Sequence, residues 1–138
     1  MLKYVDNILT ADIYLLLREN VKWKKLSDQQ AKKAIENCLY NVTVFDDEKP
    51  IGMGRIVGDG AVICYIQDLV VLPEYQKMGI GKGIMKKLIE YVESIREENS
   101  EMMLCLMCAK GRESFYESLG FIPRPTDNLG PGMITYLK

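Results

Sequence analysis

The chain contains no histidine, and its four cysteines form only one close pair, Cys105 and Cys108. A C-x-x-C pair can hold zinc, but a zinc shell needs four ligands, and neither a second pair nor a histidine is present to complete it. The pair lies in the apolar run 102–108, which we interpret as a buried strand whose residues three apart face opposite sides. We therefore expect no metal, reduced thiols, and Cys105 and Cys108 as small core residues.

Long apolar runs and an excess of one charge are also missing. No run approaches the roughly 18 apolar residues that span a bilayer, and the first ten residues are too polar for a signal peptide. Eighteen Lys and Arg face 19 Asp and Glu, a net charge of −1. The short basic cluster at Lys22, Lys24 and Lys25 is typical of a solvated loop or helix end. We expect a cytoplasmic protein that binds neither nucleic acid nor membrane.

No repeat, linker or low-complexity tract divides the 138 residues, of which 48% are hydrophobic, so a single domain over residues 1–138 is predicted. Apolar periodicity, capping residues and turn signals indicate the elements. They are helices over 12–18 and 27–36, strands over 41–45, 51–57 and 61–72, a helix from Gly83, a strand over 102–108, a short helix over 113–119 and a strand over 133–137. A further strand at the N-terminus is left open. This order predicts an α/β fold with a mixed, mostly antiparallel sheet, one β-α-β crossover and helices on both faces.

The segment from Asp68 to Gly83 carries the clearest chemical signal. A strand ends at a proline, Gly79 and Gly81 follow, and an amphipathic helix begins after them. Glycines permit close approach of a ligand to the backbone, and a helix start presents N–H groups and a positive dipole end, which favours pyrophosphate. A Walker loop is excluded because Gln76 stands where its first glycine belongs, and Ile84 stands where a dinucleotide fingerprint needs its third.

Residues 76–81 resemble the Q/R-x-x-G-x-G/A coenzyme A signature of the GNAT superfamily of N-acetyltransferases. Residues 115–121 resemble that family's second signature, F-Y-x-x-x-G-F. The resemblance covers nearly the whole chain and implies the GNAT acyl-CoA N-acyltransferase fold. It departs from the family at Ala109 and Arg112, where many members have Asn and Ala, so the cofactor contact of that asparagine is absent or replaced by the backbone of 110–112.

The resemblance implies acetyl-CoA as co-substrate and assigns residues to its binding. Main-chain groups of the strand before the loop would pair with the pantetheine arm, and loop amides would surround the pyrophosphate. The residues so assigned are Leu69, Val70, Val71, Gln76, Lys77, Met78, Gly79, Ile80, Gly81 and Lys82. A strand N–H, that of Leu69 or Val70, would stabilise the oxyanion. Lys77 and Lys82 could add charge or be ordinary exposed side chains.

Catalysis needs a proton donor for the leaving thiolate and a base for the amine. Tyr116 matches the family tyrosine near the thioester sulfur, and a phenol with a pKa of about 10 keeps its proton at neutral pH. Asp68, with Gln67 beside it, is the candidate base, although a water chain could serve and Asp68 could instead be a structural hydrogen-bond acceptor. Trp23, in the loop between the first helices, could form a wall of the acceptor pocket or cover the core.

These residues predict an acetyl-CoA-dependent N-acetyltransferase that acts on a primary amine of a small molecule by direct attack in a ternary complex. One alternative is acetylation of a protein lysine or N-terminus, which uses the same chemistry. Another is a non-catalytic acyl-CoA-binding sensor. Because relatives often pair through their C-terminal strands, a homodimer is also left open.

Overall fold

The computed structural model describes residues 1–138, which form two compact units, Met1–Leu104 and Cys105–Lys138. The strands are β1 (Leu2–Asp6), β2 (Tyr40–Asp46), β3 (Lys49–Gly58), β4 (Ile63–Val71) and β5 (Met103–Leu106). The helices are α1 (Ala11–Asn20), α2 (Asp28–Glu36), α3 (Ile80–Ile95) and α4 (Glu113–Glu117), with a 3₁₀ turn at Pro73–Tyr75. No helix combines the length and the apolar character that crossing a bilayer would require.

The strands form one five-stranded sheet in the order β1-β2-β3-β4-β5. The first three pairings are antiparallel, and helix α3 connects the neighbouring strands β4 and β5. The predicted α/β class, with its meander and crossover, is therefore confirmed. Strand β1, which the sequence left open, forms the outer edge of the meander beside β2.

The first two helices begin where their capping residues predict. The Thr10 hydroxyl accepts a hydrogen bond from the Ile13 N–H at 3.2 Å. Ser27 and Gln30 form a reciprocal capping box, in which each side chain bonds to the other residue's backbone N–H at 3.1 Å. These bonds satisfy N–H groups that a helix start leaves unpaired, and they fix where α1 and α2 begin.

Helix α3 packs closely on the sheet and so positions the turn that precedes it. Its stripe of Ile84, Leu88 and Val92 is buried, and each such side chain contributes about 1.5–3 kcal/mol. Gly54 on β3 allows the close approach, since a Cβ there would lie 2.7 Å from Ile84 Cγ2 and 3.0 Å from Leu88 Cδ1. A larger residue at that position would push the helix away from the sheet.

Two sequence predictions about boundaries are wrong at the glycine turn and the β3–β4 hairpin. Helix α3 begins at Ile80, not at Gly83, because the buried Ile80 side chain anchors its first turn and Gly83 packs where a Cβ would meet the Tyr4 hydroxyl at 2.6 Å. Strand β4 begins at Ile63, not at 61, because the Asp59 carboxylate accepts the N–H groups of residues 61–63 and holds them in the turn.

The second unit differs most from the prediction. No strand forms over 133–137, where Met133 is 88% exposed and Leu137 is 94% exposed. Apolar periodicity indicates that a strand could form, but a strand also needs a neighbour for its backbone hydrogen bonds. The core assignment of the C-x-x-C pair is also wrong: β5 ends at Leu106, Cys105 is half-buried and Cys108 is exposed.

Candidate active site

Strand β4 carries a bulge at the point where the cofactor strand is predicted. Val70 pairs with Met53 of β3, and Gln67 pairs with Arg55. Between these two pairs β4 therefore has one more residue than β3. Asp68 takes a left-handed conformation there, with φ 63°. A bulge bends its strand and redirects the groups beside it. The irregularity falls at Asp68 and Leu69, while Val70 and Val71 pair again with Met53 and Gly52 before the strand ends.

The turn between β4 and α3 exposes its backbone. Lys77 and Gly79 both have positive φ, 65° and 82°, and Gly79 is the N-cap residue of α3. No side chain caps this helix, in contrast to α1 and α2. The side-chain amide of Gln76 instead donates from Nε2 to the Val71 carbonyl at 3.0 Å, which connects the turn to β4.

These features fit a diphosphate. The first N–H groups of an uncapped helix have no intrahelical partner and point outward at its positive dipole end. Met78 is 61% exposed, Lys77 and Lys82 are also exposed, and no atom lies within 4 Å of a Cβ added at Gly79, so the turn borders open space. The predicted loop residues from Gln76 to Lys82 thus lie together around one helix N-terminus. Their cofactor contacts stay a prediction.

Asp68 lies in a buried cluster with three partners from other elements. Arg18 Nη1 donates to its Oδ1 at 2.8 Å, and Arg55 Nε donates to its Oδ2 at 2.8 Å. The Tyr14 hydroxyl also donates to Oδ2. The Asp68 side chain is 1% exposed. Both of its oxygens are occupied, so the carboxylate holds α1, β3 and β4 together, which agrees with the structural alternative that the sequence left open.

The cluster shifts the acidities of its neighbours. Burial, together with the adjacent Asp68 carboxylate, raises the pKa of the Tyr14 phenol above its ordinary value. Burial alone would lower the pKa of the Arg55 guanidinium, but its contacts with Tyr14 and Asp68 raise that pKa. Tyr14 therefore stays a neutral donor and Arg55 stays a cation. The sequence did not predict that Tyr14 and Arg18 hydrogen-bond to Asp68. The signal that could have indicated it is an aspartate in an apolar strand, because a buried carboxylate needs cationic or hydrogen-bonding partners.

A cavity of about 500 Å³ that is open to solvent adjoins this cluster. Helices α1 and α2 form one side, and Arg55 and Gln67 line it from β3 and β4. Gln67 is the residue before the bulge, so the cavity reaches the strand that the sequence associates with the thioester. Its size suits a small organic molecule.

Trp23 does not line this cavity. It lines a neighbouring one of about 400 Å³, formed by the end of α1 and the loop before α2. Its ring lies 5.3 Å from the Arg18 guanidinium carbon, a cation–π arrangement. Arg18 lines both cavities. Trp23 thus contacts Arg18, which lies between the two cavities. A direct role of Trp23 in acceptor binding stays a prediction.

Tyr116 belongs to the second unit, where it lies on the short helix α4. Its ring packs edge-on against Phe115 at 5.0 Å and Phe121 at 6.1 Å. Burial raises the pKa of the Tyr116 phenol, and Cys108 adds to the effect. The hydroxyl is therefore protonated at neutral pH, as a proton donor must be. Its catalytic role stays a prediction.

Comparison with known proteins agrees with this geometry. The family model described as the acetyltransferase (GNAT) family matches residues 9–121. An uncharacterized ycf52-like N-acetyltransferase of Prochlorococcus marinus is 30% identical over 129 residues, which cover 89% of this chain and 69% of the relative.

Solved structures give the same result. A Staphylococcus aureus protein of unknown function, described as a probable acetyltransferase, superposes with a TM-score of 0.87 at 31% identity, covering 99% of this chain and 100% of that one. A GNAT family acetyltransferase of Streptococcus pneumoniae superposes with a TM-score of 0.84 at 27% identity, covering 100% and 99%.

Proposed function

Because the chain belongs to the acetyltransferase (GNAT) family, we propose that it transfers the acetyl group of acetyl-CoA to a primary amine of a small molecule. The observation that carries this proposal is the uncapped N-terminus of α3, which follows the bulged strand β4 through a turn with two left-handed residues. In this proposal the amides of the turn would bind the diphosphate, and the neighbouring strand would bind the pantetheine arm.

Bound acetyl-CoA would supply an activated thioester, and the chain's own residues would hold it. Amides from Gln76 to Lys82 would bind the pyrophosphate. Backbone groups of Leu69, Val70 and Val71 would pair with the pantetheine, and a backbone N–H at the bulge would stabilise the charge that develops on the acetyl oxygen. Exposed Lys77 and Lys82 would add positive charge near the phosphates.

Proton removal from the amine is assigned to a water chain. An amine with a pKa of about 10.4 is mostly protonated at neutral pH and must lose a proton before it attacks. Asp68 is a poor base because its oxygens are held by two guanidiniums and a phenol. Gln67 lines the cavity and could orient a water there. By the family resemblance, Tyr116 would protonate the departing sulfur.

The small-molecule acceptor is supported by the cavity beside Gln67, whose volume of about 500 Å³ matches a small ligand. The cavity is open to solvent, as a protein lysine or N-terminus would also require, so its volume and not its enclosure supports the small amine. The amine and the thioester would react directly in a ternary complex. Cys108 is exposed, but partial desolvation of its sulfur and the neighbouring Glu113 carboxylate raise the pKa of its thiol, which makes it a poor nucleophile for a covalent route.

The test is thiol release from acetyl-CoA with panels of small amines and of peptides. Preferred turnover of small amines is expected. Turnover of peptides alone would favour the protein acetyltransferase. Tight acetyl-CoA binding without turnover of any amine or peptide would favour the sensor and overturn the proposed activity.

A further inference from the structure

The charged residues that line the cavity beside Gln67 are all cations, and they lie among neutral polar groups and the apolar Leu26 and Ala34. Its cationic residues are Arg18, Lys33 and Arg55, and its amide side chains are Gln30, Asn37 and Gln67. No aspartate or glutamate lines it. A cavity that binds a purely cationic amine would need carboxylates in its lining. This lining has only cationic charges and would repel such a ligand.

The buried charges behind the lining do not balance. Arg18 and Arg55 share the single carboxylate of Asp68, each at 2.8 Å. Two positive charges thus face one negative charge, with the arginine side chains only 12% and 9% exposed. An unbalanced buried charge costs several kcal/mol unless a partner of opposite sign is supplied.

Arg18 Nε is a buried donor without a hydrogen-bond partner, so the guanidinium is not fully satisfied within the protein. One further cation is open to a ligand. Lys33 is exposed on α2 at the cavity and makes no salt bridge. Guanidinium and ammonium groups bind carboxylates and phosphates through short, charge-assisted hydrogen bonds.

We infer that the acceptor carries an anionic group, a carboxylate or a phosphate, in addition to its amine, and that Arg18, Arg55 and Lys33 recognise that group. This inference rests on the proposed function and narrows its substrate class. The anion would lie against the arginines and Lys33, while the amine would lie towards Gln67 on β4. Doubly cationic amines would be excluded by repulsion.

Binding of matched ligand pairs tests the inference separately from catalysis. The protein saturated with coenzyme A is titrated by NMR with β-alanine and with its neutral-ended amide, and with phosphoethanolamine and ethanolamine. We expect at least one anionic member to bind about tenfold more tightly than its partner, the effect of one charge-assisted hydrogen bond. The two pairs distinguish a carboxylate from a phosphate. Equal or weaker binding of both anionic members overturns the inference.

Lysine variants locate the site. Lys33→Gln should reduce the preference for the anionic member several-fold, whereas Lys32→Gln makes the same charge change on the same helix outside the cavity and should preserve it. A preference that survives Lys33→Gln unchanged, or that falls equally in both variants, would overturn the assigned site. In the thiol-release assay, turnover without an anionic preference counts against this inference alone. Absence of all turnover counts against the proposed function, and the binding result still decides the inference.

Discussion

Arg18 on α1 and Asp68 on β4 are 50 residues apart in the chain, yet Arg18 Nη1 lies 2.8 Å from Asp68 Oδ1. Arg18 also donates from Nη2 to the Lys24 carbonyl at 3.0 Å. One side chain therefore ties the loop that contains Trp23 to the bulged strand. The position of the cavity wall depends on this pair, because Arg18 lines the cavity and Asp68 fixes its guanidinium.

Replacement of Asp68 by asparagine should destabilise the fold. It would leave two buried guanidiniums without a counter-charge, and breaking a buried ion pair costs about 3–5 kcal/mol in the free energy of unfolding. Urea denaturation measures the loss. Glu74→Gln, which removes the exposed pair with Lys49, is the control and should cost less than about 1 kcal/mol. A stable Asp68→Asn protein that has lost turnover would return Asp68 to the role of base.

Replacement of Tyr14 by phenylalanine should cost about 1–2 kcal/mol at neutral pH, because it removes a buried hydrogen bond to a carboxylate. Burial and Asp68 raise the pKa of Tyr14 in the folded state. The folded protein thus retains a proton that the unfolded chain loses above about pH 10. The stability from this hydroxyl is fully present below that pH and is lost as the pH rises through the folded pKa.

The check is the difference in unfolding free energy between the wild type and Tyr14→Phe as a function of pH. This difference should shrink once the pH exceeds about 10. A difference that stays constant through the alkaline range would contradict the assigned cause.

Replacement of Gly79 by alanine should weaken coenzyme A binding. The residue has φ 82° and no atom within 4 Å of an added Cβ, so the cost is backbone strain of about 1–2 kcal/mol rather than a clash. Gly60→Ala is the matched control, because Gly60 has φ 73° in the β3–β4 hairpin and its added Cβ would make only ordinary contacts. Calorimetry should show weaker binding only for Gly79→Ala. An equal affinity in both variants would remove the turn from the cofactor site.

Replacement of Tyr116 by phenylalanine should lower kcat at least several-fold, because a general acid is removed, while the affinity for acetyl-CoA barely changes. Steady-state kinetics measures both. Tyr91→Phe is the control, because it removes a hydroxyl from a tyrosine of α3 whose ring stacks on Tyr40 with the centroids 4.5 Å apart. This variant should keep the kcat of the wild type. If Tyr116→Phe turns over as fast as the wild type, the thiolate is protonated by another group.

Local signals predicted most of the fold. The hydroxyls of Thr10 and Ser27 satisfy N–H groups within three residues, so the starts of α1 and α2 follow from neighbours in the chain. The buried runs of β2 and β3, the alternation of β4 and the stripe of α3 are likewise local patterns of the sequence. The motif of the glycine turn predicts a cofactor site, which stays a prediction, and the helix after it begins three residues earlier than predicted.

The sequence by itself determined the capped helices, the antiparallel meander and the turn before α3, because each depends on residues close together in the chain. Only the tertiary structure decided that Asp68 is shared by Arg18 and Arg55, that the cavity lacks carboxylates, and that residues 133–137 form no strand. Each of these results depends on which distant groups become neighbours. A buried charge or a strand edge is stable only when such a neighbour is present, and periodicity carries no information about it.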